Sequence, residues 1–109
     1  MVFSEFELKA IDKTVGALCR RRSPERLADQ VRVVYDINGH SVALFEERRP
    51  WNREGGWTRI PKATFRYLPS RRSWTLCPKG RDLGPEASEK DLASLVRIVD
   101  ADANGVFFG

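Results

Sequence analysis

Between Trp57 and Arg81 the chain places seven cations, Arg59, Lys62, Arg66, Arg71, Arg72, Lys79 and Arg81, and no Asp or Glu. The other twelve Lys and Arg face fifteen Asp and Glu, so the formal charge of +4 arises entirely in this stretch. Concentrated positive charge attracts phosphates, acidic protein surfaces or anionic lipid. Aromatics interleaved with cations, as in Phe65-Arg66-Tyr67, also occur on nucleic-acid surfaces, where bases stack and cations hold phosphate. Strand alternation, however, sets Ala63, Phe65 and Tyr67 on one face and Lys62, Thr64 and Arg66 on the other, so the aromatics are expected in the core. What remains is a cationic face of Lys62 and Arg66, continued by Arg71 and Arg72 at a hairpin tip. It suits contact with nucleic-acid phosphates; the plainer alternative is a solvated strand whose charges prevent edge aggregation.

The connection from Trp51 to Trp57, preceded by Arg48 and Arg49, is the second stretch with binding chemistry. Trp and Arg are favoured anchors of protein interfaces, and a Gly-containing loop adapts to a partner. Arg48, Arg49, Trp51 and Trp57 are therefore the residues through which a protein partner would be held, unless both indoles fold back over an open end of a sheet. Asp100-Ala101-Asp102-Ala103-Asn104-Gly105 matches the first six positions of an EF-hand loop, but the bidentate carboxylate at position 12 is missing. A helix-ending turn with Gly105 at positive φ is expected there instead. His40 is the only histidine, and Cys19 and Cys77 have neither CxxC nor Cys/His spacing. No Ser or Cys stands in a nucleophile-elbow context, and Glu46-Glu47 point to opposite faces of a strand. The expectation is a non-enzymatic protein with no catalytic residue, no metal site and no cofactor.

These residues are positioned by a chain of 109 residues, enough for one domain, 1–109, with an unstapled core. Hydrophobic residues make up 41% and eleven residues are aromatic, which argues for a packed globule rather than disorder. Two cysteines are too few for a disulfide framework, Met1 to Glu5 lack a leader-like character, and no apolar run approaches the roughly 20 residues that span a bilayer. A cytoplasmic location with no membrane partner is expected; nothing in the sequence fixes the oligomeric state.

Ser4-Glu5-Phe6-Glu7 is a capping box, and Leu8, Ile11, Val15, Leu18 and Cys19 follow at helical spacing, which predicts a helix from about Glu5 to Arg21. Arg20, Arg21 and Arg22 complement its C-terminal carbonyls and form a second candidate patch. Ser23-Pro24-Glu25 restarts a short helical turn. From Val31 the period becomes two. An Asn38-Gly39 type I′ turn would pair Tyr35 with Val42 and Val33 with Leu44, and bring Arg32 opposite Phe45 for a cation–π contact. A third strand, Trp57 to Leu68, contains Pro61, which points to a bulge or an edge. A four-residue turn at Pro69 to Arg72 sets Tyr67 opposite Trp74 and Phe65 opposite Leu76. Ser88 and Asp91 then cap a helix carrying Leu92, Leu95, Val96 and Val99, and the apolar tail Val106-Phe107-Phe108 is expected on the core or at a sheet edge. The fold class is α+β: an N-terminal helix, a four- to five-stranded antiparallel meander and a C-terminal helix on the same sheet face.

In this order the landmarks resemble a bacterial family known only as domain of unknown function 3024. The resemblance rests on Phe3-Ser4-Glu5-Phe6-Glu7-Leu8, Arg20-Arg21-Arg22, Gly39-His40-Ser41-Val42 leading to Leu44-Phe45-Glu46, the Trp57 strand, and Ala63-Thr64-Phe65-Arg66-Tyr67. It continues through Trp74-Thr75-Leu76, Arg81-Asp82-Leu83, and Val99-Asp100-Ala101-Asp102 to Phe107-Phe108-Gly109. It implies one compact domain and no particular chemistry.

Overall fold

The computed structural model describes residues 3–23, 25–27, 30–49, 56–78, 87–89 and 91–102. The expected first helix runs as α1 (Glu5–Ile11), a π-helical turn (Asp12–Gly16) and α2 (Ala17–Arg21). Its capping box closes both ways: Ser4 Oγ accepts from Glu7 N–H at 3.1 Å and Glu7 accepts from Ser4 N–H at 3.0 Å. In the π turn the Thr14 hydroxyl donates to the carbonyls of Ala10 and Ile11, a side-chain competitor for the helical ladder. Ile11, Val15, Leu18 and Cys19 all turn to the core, as their spacing requires.

Five strands, β1 (Val31–Asn38), β2 (Ser41–Arg48), β3 (Thr58–Leu68), β4 (Ser73–Pro78) and β5 (Ala87–Glu89), form one antiparallel meander in that order. The first hairpin differs from expectation. Asn38 pairs with Ser41, so Gly39 and His40 are the turn residues, and positive φ falls on Gly39 alone at 59°, the pattern of a type II′ turn. Tyr35 therefore faces Leu44 and Ile37 faces Val42. The slide is two residues in pairing, so every side chain keeps its face and the core is unaffected. What changes is the outer face, where Arg32 meets Glu47 and Val34 takes the place opposite Phe45.

Between β2 and β3 the pairing steps from Leu44 and Ala63 to Phe45 and Pro61, which makes Lys62 the extra residue of β3. This is a bulge of the kind Pro61 foreshadowed, and it ends strict alternation at that point. The second hairpin matches expectation in its four-residue turn and in the Tyr67–Trp74 and Phe65–Leu76 pairs. Ser88 lies in β5 opposite Thr75, and Asp91 alone caps α3 (Leu92–Ala101), accepting from Ala93 N–H at 3.0 Å. The helix ends on Asp102 in the left-handed region; Gly105 and the tail Val106 to Phe108 lie outside the described residues.

The helices cover one sheet face. Val33, Val42, Leu44, Phe65 and Leu76 from the sheet meet Ile11, Val15, Leu18, Leu95 and Val99 in one core. Arg21 and Arg22 tie the end of α2 to Asp100 of α3 at 3.0 and 3.3 Å. Ser23 Oγ accepts from Val33 N–H at 2.9 Å, closing part of the free edge of β1. Among the described residues no helix is long and apolar enough to cross a membrane.

Candidate nucleic-acid interface

The sheet face turned away from the helices carries cations at both ends, in two different states. At the end holding the last residues of β2, Arg32, Glu47 and Arg59 form one cross-strand row. Glu47 is only 7% exposed, covered by the two guanidinium groups: Arg32 Nε donates at 2.6 Å and Arg59 Nε at 3.0 Å. Arg59 also pairs with Asp36. Each guanidinium lies over a ring, Arg32 over Trp57 at 4.1 Å and Arg59 over Phe45 at 4.6 Å. The hydrogen bond from Arg32, then that from Arg59, hold the Glu47 carboxyl below the usual carboxylate range against the effect of burial. These cations are spent within the fold.

The other end is built by two turns. Gly39–His40 and Pro69–Arg72 lie side by side, joined where Tyr67 N–H donates to the His40 carbonyl at 2.9 Å. Arg71 N–H and Arg72 N–H close the second turn onto the carbonyls of Leu68 and Pro69, and Arg72 completes it at φ 47°. Arg66, in register with Ser41 and Thr75, stands on the outer face beneath this turn. Arg66, Arg71 and Arg72 are exposed, and among the described residues no carboxylate comes within 4.0 Å of any of them.

Lys62 does not join them, which corrects the alternation argument. The bulge brings it to Glu46, on the face of Val42 and Leu44, with Nζ 3.1 Å from the carboxylate and a side chain only 8% exposed. Burial opposes ionisation of Glu46, but hydrogen bonds from Lys62 and Arg48 outweigh it and lower its pKa. Arg48 is thereby engaged as well, at 2.9 Å. Of the other anchors proposed from the sequence, Trp57 is half-buried beneath Arg32, Arg49 donates its backbone N–H to Gln30, and Trp51 lies outside the described residues. Arg20, Arg21 and Arg22 are paired with Asp12 and Asp100, so the second patch is largely neutralised. Asp100, the first residue of the EF-hand-like segment, is held by two arginines, and the described residues contain no group of three metal-ligating side chains.

On the helix side of the same β3–β4 hairpin lies a cleft of about 250 Å³. Tyr67 and Trp74, with ring centroids 5.2 Å apart, line it, Ala10 and Ala93 flank it from the two helices, and Glu7 and Asp91 bring carboxylates. Phe3 stacks on Trp74 at 5.7 Å and meets His40 edge-on at 6.1 Å, fixing the aromatic group from behind. The sequence places Tyr67 opposite Trp74 but gives Glu7 and Asp91 only as helix caps; their approach depends on how the helices cross the sheet.

The chain matches the DUF3024 family, a domain of unknown function, over residues 3–109 and belongs to it. No curated protein and no solved structure matches it.

Proposed function

We propose that this member of the DUF3024 family is a non-catalytic domain that binds nucleic acid by its phosphates, through Arg66, Arg71 and Arg72 of the β3–β4 hairpin. The observation that carries the reading is the contrast between the two ends of the outer face. Arginines at one end are matched by Glu47 and Asp36, whereas the three on the hairpin are exposed and, among the described residues, have no carboxylate within 4.0 Å. An exposed guanidinium held on a tight turn offers a planar donor fork for a phosphate. Phosphate contacts position a protein without reading sequence, so binding should depend steeply on salt and weakly on base order. The outer-face aromatics Phe45 and Trp57 already carry guanidinium groups, which argues against that face as a stacking platform. A protein-interaction module anchored by Arg48, Arg49, Trp51 and Trp57 draws less support, because Glu46 engages Arg48 and Arg32 covers Trp57.

The test is a gel-shift titration of DNA and RNA at two salt concentrations with the parent and the Arg71→Ser/Arg72→Ser variant. Exposed turn substitutions usually change stability by about 0.5 kcal/mol or less, so the variant should fold. Its affinity should fall similarly across sequences, and the salt slope should flatten by up to about two, roughly one per lost contact. Absence of binding by the parent at low salt, or equal binding by the variant, refutes the proposal.

A further inference from the structure

The phosphate-binding hairpin and the cleft are two sides of one element. Tyr67 and Trp74 form the second cross-strand pair below the turn, and Arg72 precedes Trp74 by two residues, a backbone distance of roughly 7 Å. That is about the separation of a nucleobase from its own phosphate. At about 250 Å³ the cleft falls below the ~300–1,000 Å³ of sites for drug-sized ligands and suits one flat ring system. Aromatic side chains stack such rings, and unpaired bases are recognised through hydrogen bonds at their exposed edges.

We infer that the cleft receives a single unpaired nucleobase, guanine in preference, from a strand whose phosphate lies on Arg71 and Arg72. This rests on the phosphate reading above and narrows its ligand to nucleic acid with a single-stranded segment. The preference follows from the polar groups available. Glu7 uses one carboxylate oxygen on Ser4 N–H and Asp91 one on Ala93 N–H, so each retains an oxygen that only accepts. Guanine presents two adjacent N–H donors on its pairing edge, whereas uracil flanks its one N–H with carbonyl oxygens that a carboxylate repels. Among the described residues the cleft lining contains no cation, so base contact and phosphate contact are divided between its interior and the turn above it.

The cleft can be filled without touching the hairpin arginines or the two caps. Ala10→Leu and Ala93→Leu enlarge side chains that line the cleft from α1 and α3, and Leu ranks next to Ala as a helix former. Affinities of the parent and the double variant are measured at one salt concentration for a short oligo(dG)-containing single strand, an oligo(dT) strand and a duplex. Resonances of Tyr67 and the Trp74 indole are followed by NMR. The parent should bind the guanine strand most tightly and shift both resonances; filling the cleft should weaken that binding about tenfold and leave duplex binding unchanged. Equal affinity of parent and variant for every probe, with the cleft resonances unmoved, overturns the inference and leaves the hairpin reading intact. No binding of any probe overturns both. Saturation of the cleft by n-butylammonium but not by the guanine strand assigns it to a cation and also overturns the inference.

Discussion

Glu47→Gln removes the charge that joins three strands of the outer face while changing the side chain's volume little. Glu47 accepts from Arg32 at 2.6 Å and from Arg59 at 3.0 Å, and its side chain is 10% exposed. Sheltered hydrogen bonds to charged groups contribute about 1.5–3 kcal/mol, exposed pairs about 0.2–1 kcal/mol. The side chains of Arg32 and Arg59 are 46% and 42% exposed, so solvent screens both contacts and each belongs near the upper end of the exposed range. Arg59 keeps Asp36. The expected loss is about 1–2 kcal/mol at pH 7, a fall in Tm of roughly 5–10 °C for a chain of this length.

The pH dependence distinguishes this cause from simple packing. The folded pKa of Glu47 is depressed from 4.5, so its contribution is fully present above about pH 4.5 and is lost as the pH falls through the folded value. Thermal melts of parent and variant should differ by a constant amount from pH 8 to about pH 5, and the gap should close below that. A difference under about 0.3 kcal/mol at pH 7, or one that persists undiminished to pH 3, refutes the reasoning. Nucleic-acid affinity serves as an internal control. Glu47 lies six residues along β2 from Ser41, the neighbour of Arg66, which is roughly 20 Å and beyond the ~8 Å Debye length at physiological salt. It should change by less than about twofold.

Lys62→Met should cost about 1–3 kcal/mol in urea unfolding, because it strips a sheltered cation from Glu46 while Arg48 remains. Filter binding should give an unchanged nucleic-acid affinity; a clear loss of affinity with the fold intact would restore Lys62 to the interface. Burial pushes the Cys19 thiol from 9.0 up to about 11, and burial followed by donation to Asp12 pushes the Tyr35 hydroxyl from 10.0 up to about 12. The fold favours both neutral forms, so stability should hold up to about pH 9 and fall between pH 9 and 12. Tyr35→Phe should flatten the part of that decline above pH 10 in urea midpoints, and an unchanged slope would show that Tyr35 titrates as in the unfolded chain.

Local signals carried most of the architecture. The capping box, the buried spacing of Ile11, Val15 and Leu18, the Tyr67–Trp74 pair and the four-residue turn all follow from residues within a few positions of one another. Asn38-Gly39 and Gly39-His40 both supply a glycine for positive φ, so the sequence alone does not fix which pair makes the first turn. The two choices differ by two residues in pairing, which keeps every side chain on its face but changes the partner of Arg32. Pro61 signals the bulge, yet which residue it displaces depends on β2, and strict alternation across it would set Lys62 on the face opposite the one it occupies. The meaning of the cationic run depends on this same non-local information. Five of its seven members are described: Arg59, Lys62, Arg66, Arg71 and Arg72. Carboxylates distant in sequence, Asp36, Glu46 and Glu47, cross over to neutralise the first two. A run of like charge therefore becomes a binding patch only where the neighbouring strand brings no carboxylate. Among the described residues, Ser41 beside Arg66 and the turn around Arg71 and Arg72 meet that condition, and the proposed phosphate contacts are therefore assigned to that one end of the sheet.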